Sequence, residues 1–404
     1  MRFCKFPFLR FGPVLILALV HMVSDCYLMF LPALWLPLAH AFDLSSIQTG
    51  CVISIAFLPG NLMQPIYGLL ADRFDAKWLV VIGPLMVVLC MSLLGLSNAL
   101  WLTLLLLLIG SMGSGMFHPE AARLASRFSA TGSSRAMSLF LGGGFLGSAI
   151  GPAWISATIS GTGRELADSW QTIFPGLVVV LIGVVMVARL PSFHSARHAN
   201  RQPSWTKVLA GRTQPISCLF GISFARAFAI QMLIYTLPMY LQDRSLGQMA
   251  IGRWMAIFLG AQGVGILCGG MTSPRHRERV TLIGSLLIVL LPVWLLPFLD
   301  APVSLVALAA TGLGAMWTLS VTIQLGQSIV QHGQRWVAGI LMGFSWGIGA
   351  LIAPPLAGYL CDQVSTQTSL MVGAAALTVA FGFSMALPLQ CHLNKLKIMP
   401  DSTS

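Results

Sequence analysis

Leu102-Thr103-Leu104-Leu105-Leu106-Leu107-Leu108-Ile109-Gly110-Ser111-Met112-Gly113-Ser114-Gly115-Met116 runs without a single charge. A barrel strand would alternate polar and apolar residues. This stretch does not, so it reads as a helix surrounded by lipid or by other helices. Outward from it the same pattern recurs. Apolar spans are expected at 12–37, 47–71, 78–97, 99–127, 134–159 and 169–189, then at 213–241, 249–272, 280–298, 302–330, 336–360 and 367–389. Most reach the ~20 residues needed to cross ~30 Å of hydrocarbon.

The two sets of spans are copies. Leu44, Gly50, Gly68, Arg73, Gly147 and Pro152 return 202 positions later as Leu246, Gly252, Gly270, Arg275, Gly349 and Pro354, and the chain has 404 residues. A six-helix unit followed by its diverged copy predicts the architecture of a secondary transporter. The expected fold is an all-α membrane protein with twelve transmembrane helices in two pseudo-symmetric six-helix bundles. The expected domains are 1–190, a linker at 191–212, and 213–404.

Composition agrees. Hydrophobic residues make up 56%, charged residues 9%, and mean hydropathy is +0.83, against roughly 25% charge in a soluble domain. The net charge of +11 is a topology signal rather than a nucleic-acid one. Of 23 Lys and Arg, all but Arg164, Arg226, Arg244 and Arg253 fall on one set of loops and the two ends. The positive-inside rule then places both termini in the cytoplasm of a multi-pass membrane protein. The apolar pattern continues past Asp25 to Leu38, so the start is read as a first span and not a cleaved signal. The linker reads as a solvated basic tether near anionic lipid. Eight cysteines show no CxxC spacing and fit free thiols. There is no Walker loop, HExxH motif or Cys/His ligand cluster. An enzyme, ATP drive, a metal and a cofactor are therefore not expected. The implied partners are a small-molecule substrate, protons and membrane lipid, with a monomer as the simplest state.

Charges at membrane depth are costly and persist where they work or are paired. His21 and Asp25, four apart, share one face of the first span, and Asp25 lies roughly 20 Å in from Gly12 at 1.5 Å per residue. Burial favours the uncharged carboxyl, which suits proton carrying; a structural hydrogen bond is the plainer alternative. The fourth span ends Phe117-His118-Pro119-Glu120-Ala121-Ala122-Arg123. Pro119 interrupts the ladder and is expected to splay His118 and Glu120 into a cavity; a Glu120–Arg123 gate is the alternative. Ser320 and Thr322 stand at the repeat positions of His118 and Glu120, so the titratable groups, and with them proton coupling, belong to the first half. In the second half Arg226 is the lone mid-span charge, a point for an anionic substrate group or a counter-ion to Asp25 or Glu120. Gln231, Gln262, Gln324 and Gln327 are the other candidate substrate contacts.

Small residues at Gly143, Gly147 and Gly151, with Pro152, give the fifth span a close-packing face. Gly68-Leu69-Leu70-Ala71-Asp72-Arg73-Phe74-Asp75-Ala76-Lys77 resembles the G-x-L-A-D-R-x-G-R-[KR] loop of the major facilitator superfamily, with Asp75 and Ala76 departing from it. The resemblance implies a gating latch built on Gly68, Asp72, Arg73 and Lys77; a topogenic basic loop is the alternative. In the copy, Pro274 replaces Asp72, so the second half lacks that carboxylate. The fifth span resembles the glycine-rich helix of drug–proton antiporters, which implies gating through Gly147, Gly151 and Pro152. Arg123 joins this gating set. His21…Asp25, Leu31-Pro32-Ala33-Leu34, Gln64-Pro65…Gly68 and Phe117-His118-Pro119-Glu120-Ala121 together resemble the fosmidomycin-resistance branch of that superfamily. This resemblance implies a proton-coupled exporter of the bacterial inner membrane, carrying a small drug-like or anionic compound, its namesake drug being a phosphonate anion. An organic-acid or metabolite uptake symporter, a siderophore exporter and a non-transporting receptor or assembly subunit remain alternatives.

Overall fold

The computed structural model describes residues 7–63, 67, 77–127, 133–160, 173–188, 211–272, 277–330 and 337–388. The Gly68, Asp72 and Arg73 latch lies outside them, as do the side chains of Lys77 and Arg123.

Every regular element among the described residues is helical. The helices are α1 (Pro7–Leu28), α2 (Leu31–Ala41), α3 (Ser46–Leu62), α4 (Lys77–Leu93), α5 (Leu100–Arg127), α6 (Ser133–Ser160) and α7 (Ile173–Ala188). They continue as α8 (Thr213–Asp243), α9 (Gln248–Thr272), α10 (Glu278–Leu295), α11 (Val303–Ile329), α12 (Ser345–Gln363) and α13 (Thr366–Ala386). Among the described residues ten helical stretches are long and apolar enough to cross a membrane. α3, with 17 residues, and α7, with 16, are shorter as described. Their outward surfaces confirm lipid as the solvent. Leu291, Val306 and Trp101 are exposed, an arrangement that water would penalise.

The backbone repeats as the sequence does. Short 3₁₀ turns close the third span of each half, at Leu94–Leu96 and Leu296–Phe298. Asp43 and Ser245 both take positive φ, 50° and 61°. Around them Leu44 N–H donates to Ala39 O at 2.9 Å, and Leu246 N–H to Leu241 O at 3.0 Å. Each pair is 202 residues apart. A non-glycine residue in the left-handed region is uncommon; finding it twice at one register marks a shared turn.

Two compact units emerge. One comprises the described parts of Met1–Ser45, Cys51–His198 and Leu241–Gly260; the other those of Ser46–Gly50, Ala199–Tyr240 and Ala261–Ser404. In the first, Val14, Leu17, Val80, Phe117, Leu124 and Phe140 form a core. Here α1 and α6 cross almost backbone on backbone: a Cβ added at Gly147 would meet Met22 O, and one at Gly151 would meet Cys26 O. Small residues are what allow that approach. The start of α9 belongs to the same unit. Gln248 Nε2 donates to Ala33 O at 2.6 Å and to Ser156 Oγ at 3.2 Å.

In the second unit Leu219, Ile222, Leu286, Leu325, Val337 and Leu341 form the core. A six-residue π-helix, Gly339–Phe344, leads into α12. The first turn of α3 is held here: Ser46 and Ile47 donate their N–H groups to the Asp362 carboxylate at 3.1 and 2.9 Å. Tyr235 donates its hydroxyl to Ser46 O at 2.5 Å. Ser365 caps α13 by accepting from Thr368 N–H at 3.1 Å. Cys26, Cys51, Cys90 and Cys218 are free thiols.

Candidate functional site

Helical spacing puts His21 and Asp25 one turn apart on α1, and their Nε2 and Oδ2 atoms are 3.2 Å apart. α5 brings a third member from far along the chain: His118 Nε2 stands 3.0 Å from Asp25 Oδ1. Each imidazole is oriented from behind. His21 Nδ1 lies 2.8 Å from Phe140 O, and His118 Nδ1 lies 2.7 Å from Ser114 O. A carbonyl only accepts, so both Nδ1 atoms carry hydrogen and both Nε2 atoms are turned to the carboxylate. His21 also stacks on the Phe140 ring at 4.2 Å and meets the His118 ring edge-on at 4.9 Å. The floor is glycine: a Cβ at Gly144 would strike His21 and come within 2.8 Å of Asp25 Oδ2.

This geometry has a charge requirement. A neutral imidazole with hydrogen on Nδ1 presents a lone pair at Nε2. Facing a carboxylate oxygen, that lone pair repels. One proton on each N···O line turns repulsion into a hydrogen bond. The geometry thus offers two N···O lines that a proton can bridge. Accessibility is graded: the His21 side chain is 4% exposed, Asp25 16% and His118 31%. The His118 end is the open one.

Glu120 is buried, but α5 runs through Pro119 as continuous helix. Two residues then separate His118 and Glu120 by about 200° around the axis, so they do not project together as expected; only His118 reaches Asp25. Gly147, Gly151 and Pro152 lie along α6, where the first two form the seam with α1. Arg226 is fully buried in the second unit. Its Nη1 donates towards Met316 Sδ at 3.5 Å, and its Cζ lies 5.7 Å from the centre of the Trp346 ring. Gln231 is half-buried and about 140° away around α8. Gln262 is buried on α9, while Gln324 is exposed and Gln327 half-buried on α11. The four glutamines thus differ in burial.

Sequence reasoning missed Ser114, Phe140, Gly144, Met316 and Trp346. A signal for four of them was present. Ser114 and Gly144, which frame the carboxylate cluster, become Met316 and Trp346 202 positions later. Those are the residues that frame Arg226.

The comparisons with known proteins agree with this architecture. The model of the Major Facilitator Superfamily matches residues 14–335 and 219–390. The chain is 25% identical over 369 residues to the fosmidomycin resistance protein of Escherichia coli K12, covering 88% of each. It is 26% identical over 389 residues to the uncharacterized transporter YfnC of Bacillus subtilis 168, covering 93% of this chain and 92% of that one. Among solved structures, a bacterial homologue of the lysosomal transporter Spinster, inward-facing and unoccupied, superposes with a TM-score of 0.75 at 16% identity, covering 98% of this chain and 100% of that one. The nucleoside transporter NupG gives a TM-score of 0.75 at 15% identity, covering 93% and 100%. Helical repeat, apolar surface and family match lead to one conclusion: this chain is a multi-pass membrane protein of the Major Facilitator Superfamily, a family of transporters rather than enzymes.

Proposed function

We propose that the chain is a proton-coupled secondary transporter that exports a small compound across a bacterial inner membrane. In this reading twelve spans form two bundles, 1–190 and 213–404, joined by the 191–212 linker, with both termini in the cytoplasm. The bundles alternate access around a midplane site.

The observation that carries the proposal is the His21–Asp25–His118 cluster. In this reading each N···O line takes a proton, one line running from α1 to α5 and the other within α1. Loss of one proton leaves one line repulsive. His118, at the accessible end, is the partner that separates, so proton occupancy biases two conformers of the α1–α5 contact. His21, held by Phe140 and packed against Phe117, stays with Asp25. Glu120 acts as a second carboxyl on α5, outside this cluster. The Gly68, Asp72, Arg73 and Lys77 loop with Arg123 serves as the latch, and Gly147, Gly151 and Pro152 form the seam that slides. Export, rather than uptake, is supported by the relative from Escherichia coli whose name is fosmidomycin resistance protein.

The test is substrate-triggered proton release from energised inside-out vesicles, read with a pH-sensitive dye over phosphonates, siderophores, organic acids and lipophilic drugs. Wild-type vesicles are expected to respond to at least one class, while Asp25→Asn vesicles with the same inserted protein fall to background. Full flux in Asp25→Asn would remove the cluster from the mechanism. Silence of the wild type throughout would favour uptake symport or a non-transporting role.

A further inference from the structure

Asp25 has two imidazoles within reach; among the described residues no acid is seen paired with Arg226. Its Nε and Nη2 atoms are buried and find no hydrogen-bond partner among the described residues. The described acids of the second unit sit at helix ends: Glu278 in the first turn of α10, Asp300 before α11, and Asp362 on the first turn of α3. A guanidinium does not shed its proton in a protein, and an uncompensated charge in an apolar interior costs several kcal/mol. Such a group persists when something from outside completes it.

The unpaired atoms identify that partner. Nη1 is spoken for by Met316 Sδ. What remains is the Nε–Nη2 edge, where two N–H bonds point the same way. That edge matches two oxygens on one atom, as in a carboxylate, phosphonate or sulfonate. The Trp346 ring beside the guanidinium restricts the plane in which the oxygens can lie. One turn earlier on the same side of α8, the buried Ser223 hydroxyl is also without a partner. At this register the first unit builds its own acid–base cluster; the second supplies donors only.

We propose that the Nε–Nη2 edge of Arg226 seats a two-oxygen anion, so that the cargo of the transporter carries a carboxylate, phosphonate or sulfonate group. Naming that anion as cargo rests on the transport reading above; the binding itself does not.

The experiment is thermal unfolding of the purified full-length protein in nanodiscs at constant ionic strength. The probes are benzoate, phenylphosphonate and benzenesulfonate, with neutral benzamide and with chloride as controls. Ligand that binds only the folded state raises the midpoint. At least one of the oxyanions is expected to raise it, with benzamide and chloride well behind. Arg226→Lys keeps the charge but loses the fork, and is expected to bind that anion on the order of tenfold or more weakly. Gly284→Ala on α10, where the added atom meets nothing, leaves the site intact and is expected to keep the response. An equal shift with benzamide, an equal shift with chloride, an unchanged response in Arg226→Lys, or no response to any oxyanion would each overturn the proposal. Should Arg226→Lys not fold, the comparison of oxyanion with benzamide and chloride on the wild type decides alone. Anion binding by a protein that moves no protons would sink the transport reading and leave this one standing. Proton-coupled export confined to neutral compounds would do the reverse.

Discussion

Ser114 and Gly144 frame a carboxylate between two imidazoles; their counterparts Met316 and Trp346 frame a solitary guanidinium. The two units thus carry opposite solutions at one register of the repeat. The first closes its polar cluster internally and leaves one edge accessible. The second buries a charge completely and leaves it incomplete. The same backbone recurs twice, and on our proposals divergence made one copy answer to protons and the other to an anion. Identical helix positions do not imply identical roles when the side chains that surround them have changed size and polarity.

That contrast is open to direct attack. The largest effect is expected on stability. Asp25→Ala leaves His21 and His118 without their shared partner and should cost about 3 kcal/mol, whereas Arg226→Met in the absence of added anion removes an uncompensated charge and should be neutral or stabilising by about 1–4 kcal/mol. Chemical denaturation in detergent measures both; changes of the same sign would erase the distinction between a completed and an uncompleted site. Next, Gly144→Ala places a methyl group against His21 and Asp25. It should cost roughly 1–3 kcal/mol and depress proton-coupled flux, while an alanine at Gly142, where the added atom meets nothing, should do neither. Equal behaviour of the two variants would show that the cluster tolerates displacement. The smallest effect belongs to the rim. Asp362→Ala removes the acceptor for Ser46 and Ile47 N–H and should lower stability by roughly 0.5–2 kcal/mol, as loss of a helix cap does, with the oxyanion response of the second unit preserved. A lost response would tie the cap to the anion site.

Much of this was legible before any coordinates. Long uncharged runs leave helix as the lipid-compatible answer, and matched glycines and prolines at a constant offset carry the repeat through to its turns at Asp43 and Ser245. The His21–Asp25 pair followed from a spacing of four on one helix. His118 was flagged but its partner was not, because the α1–α5 contact depends on three-dimensional packing that spacing along one helix does not encode. Pro119 was expected to interrupt the ladder and splay His118 and Glu120 together, but α5 runs on through it. The helix continues, and its pitch turns the two side chains apart. Whether candidate glutamines on different helices share a cavity depends on how those helices face one another, which spacing along the chain does not encode. The unpaired edge of Arg226 was beyond any sequence reading, since it is defined by which neighbours are missing.

The assignment of residues to units has a consequence for how the protein is made. The first turn of α3 is synthesised with the first half but belongs to the second unit, and residues 241–260 are synthesised with the second half but belong to the first. A ribosome that has just finished the linker has therefore released a first unit still missing the strut in which Gln248 binds Ala33 and Ser156. Equally, the second unit cannot complete the Asp362 cap without a segment inserted long before it. The final packing of these two segments then waits on late translation. A gene divided at the linker would be expected to yield two fragments that mature only when they meet in the same bilayer.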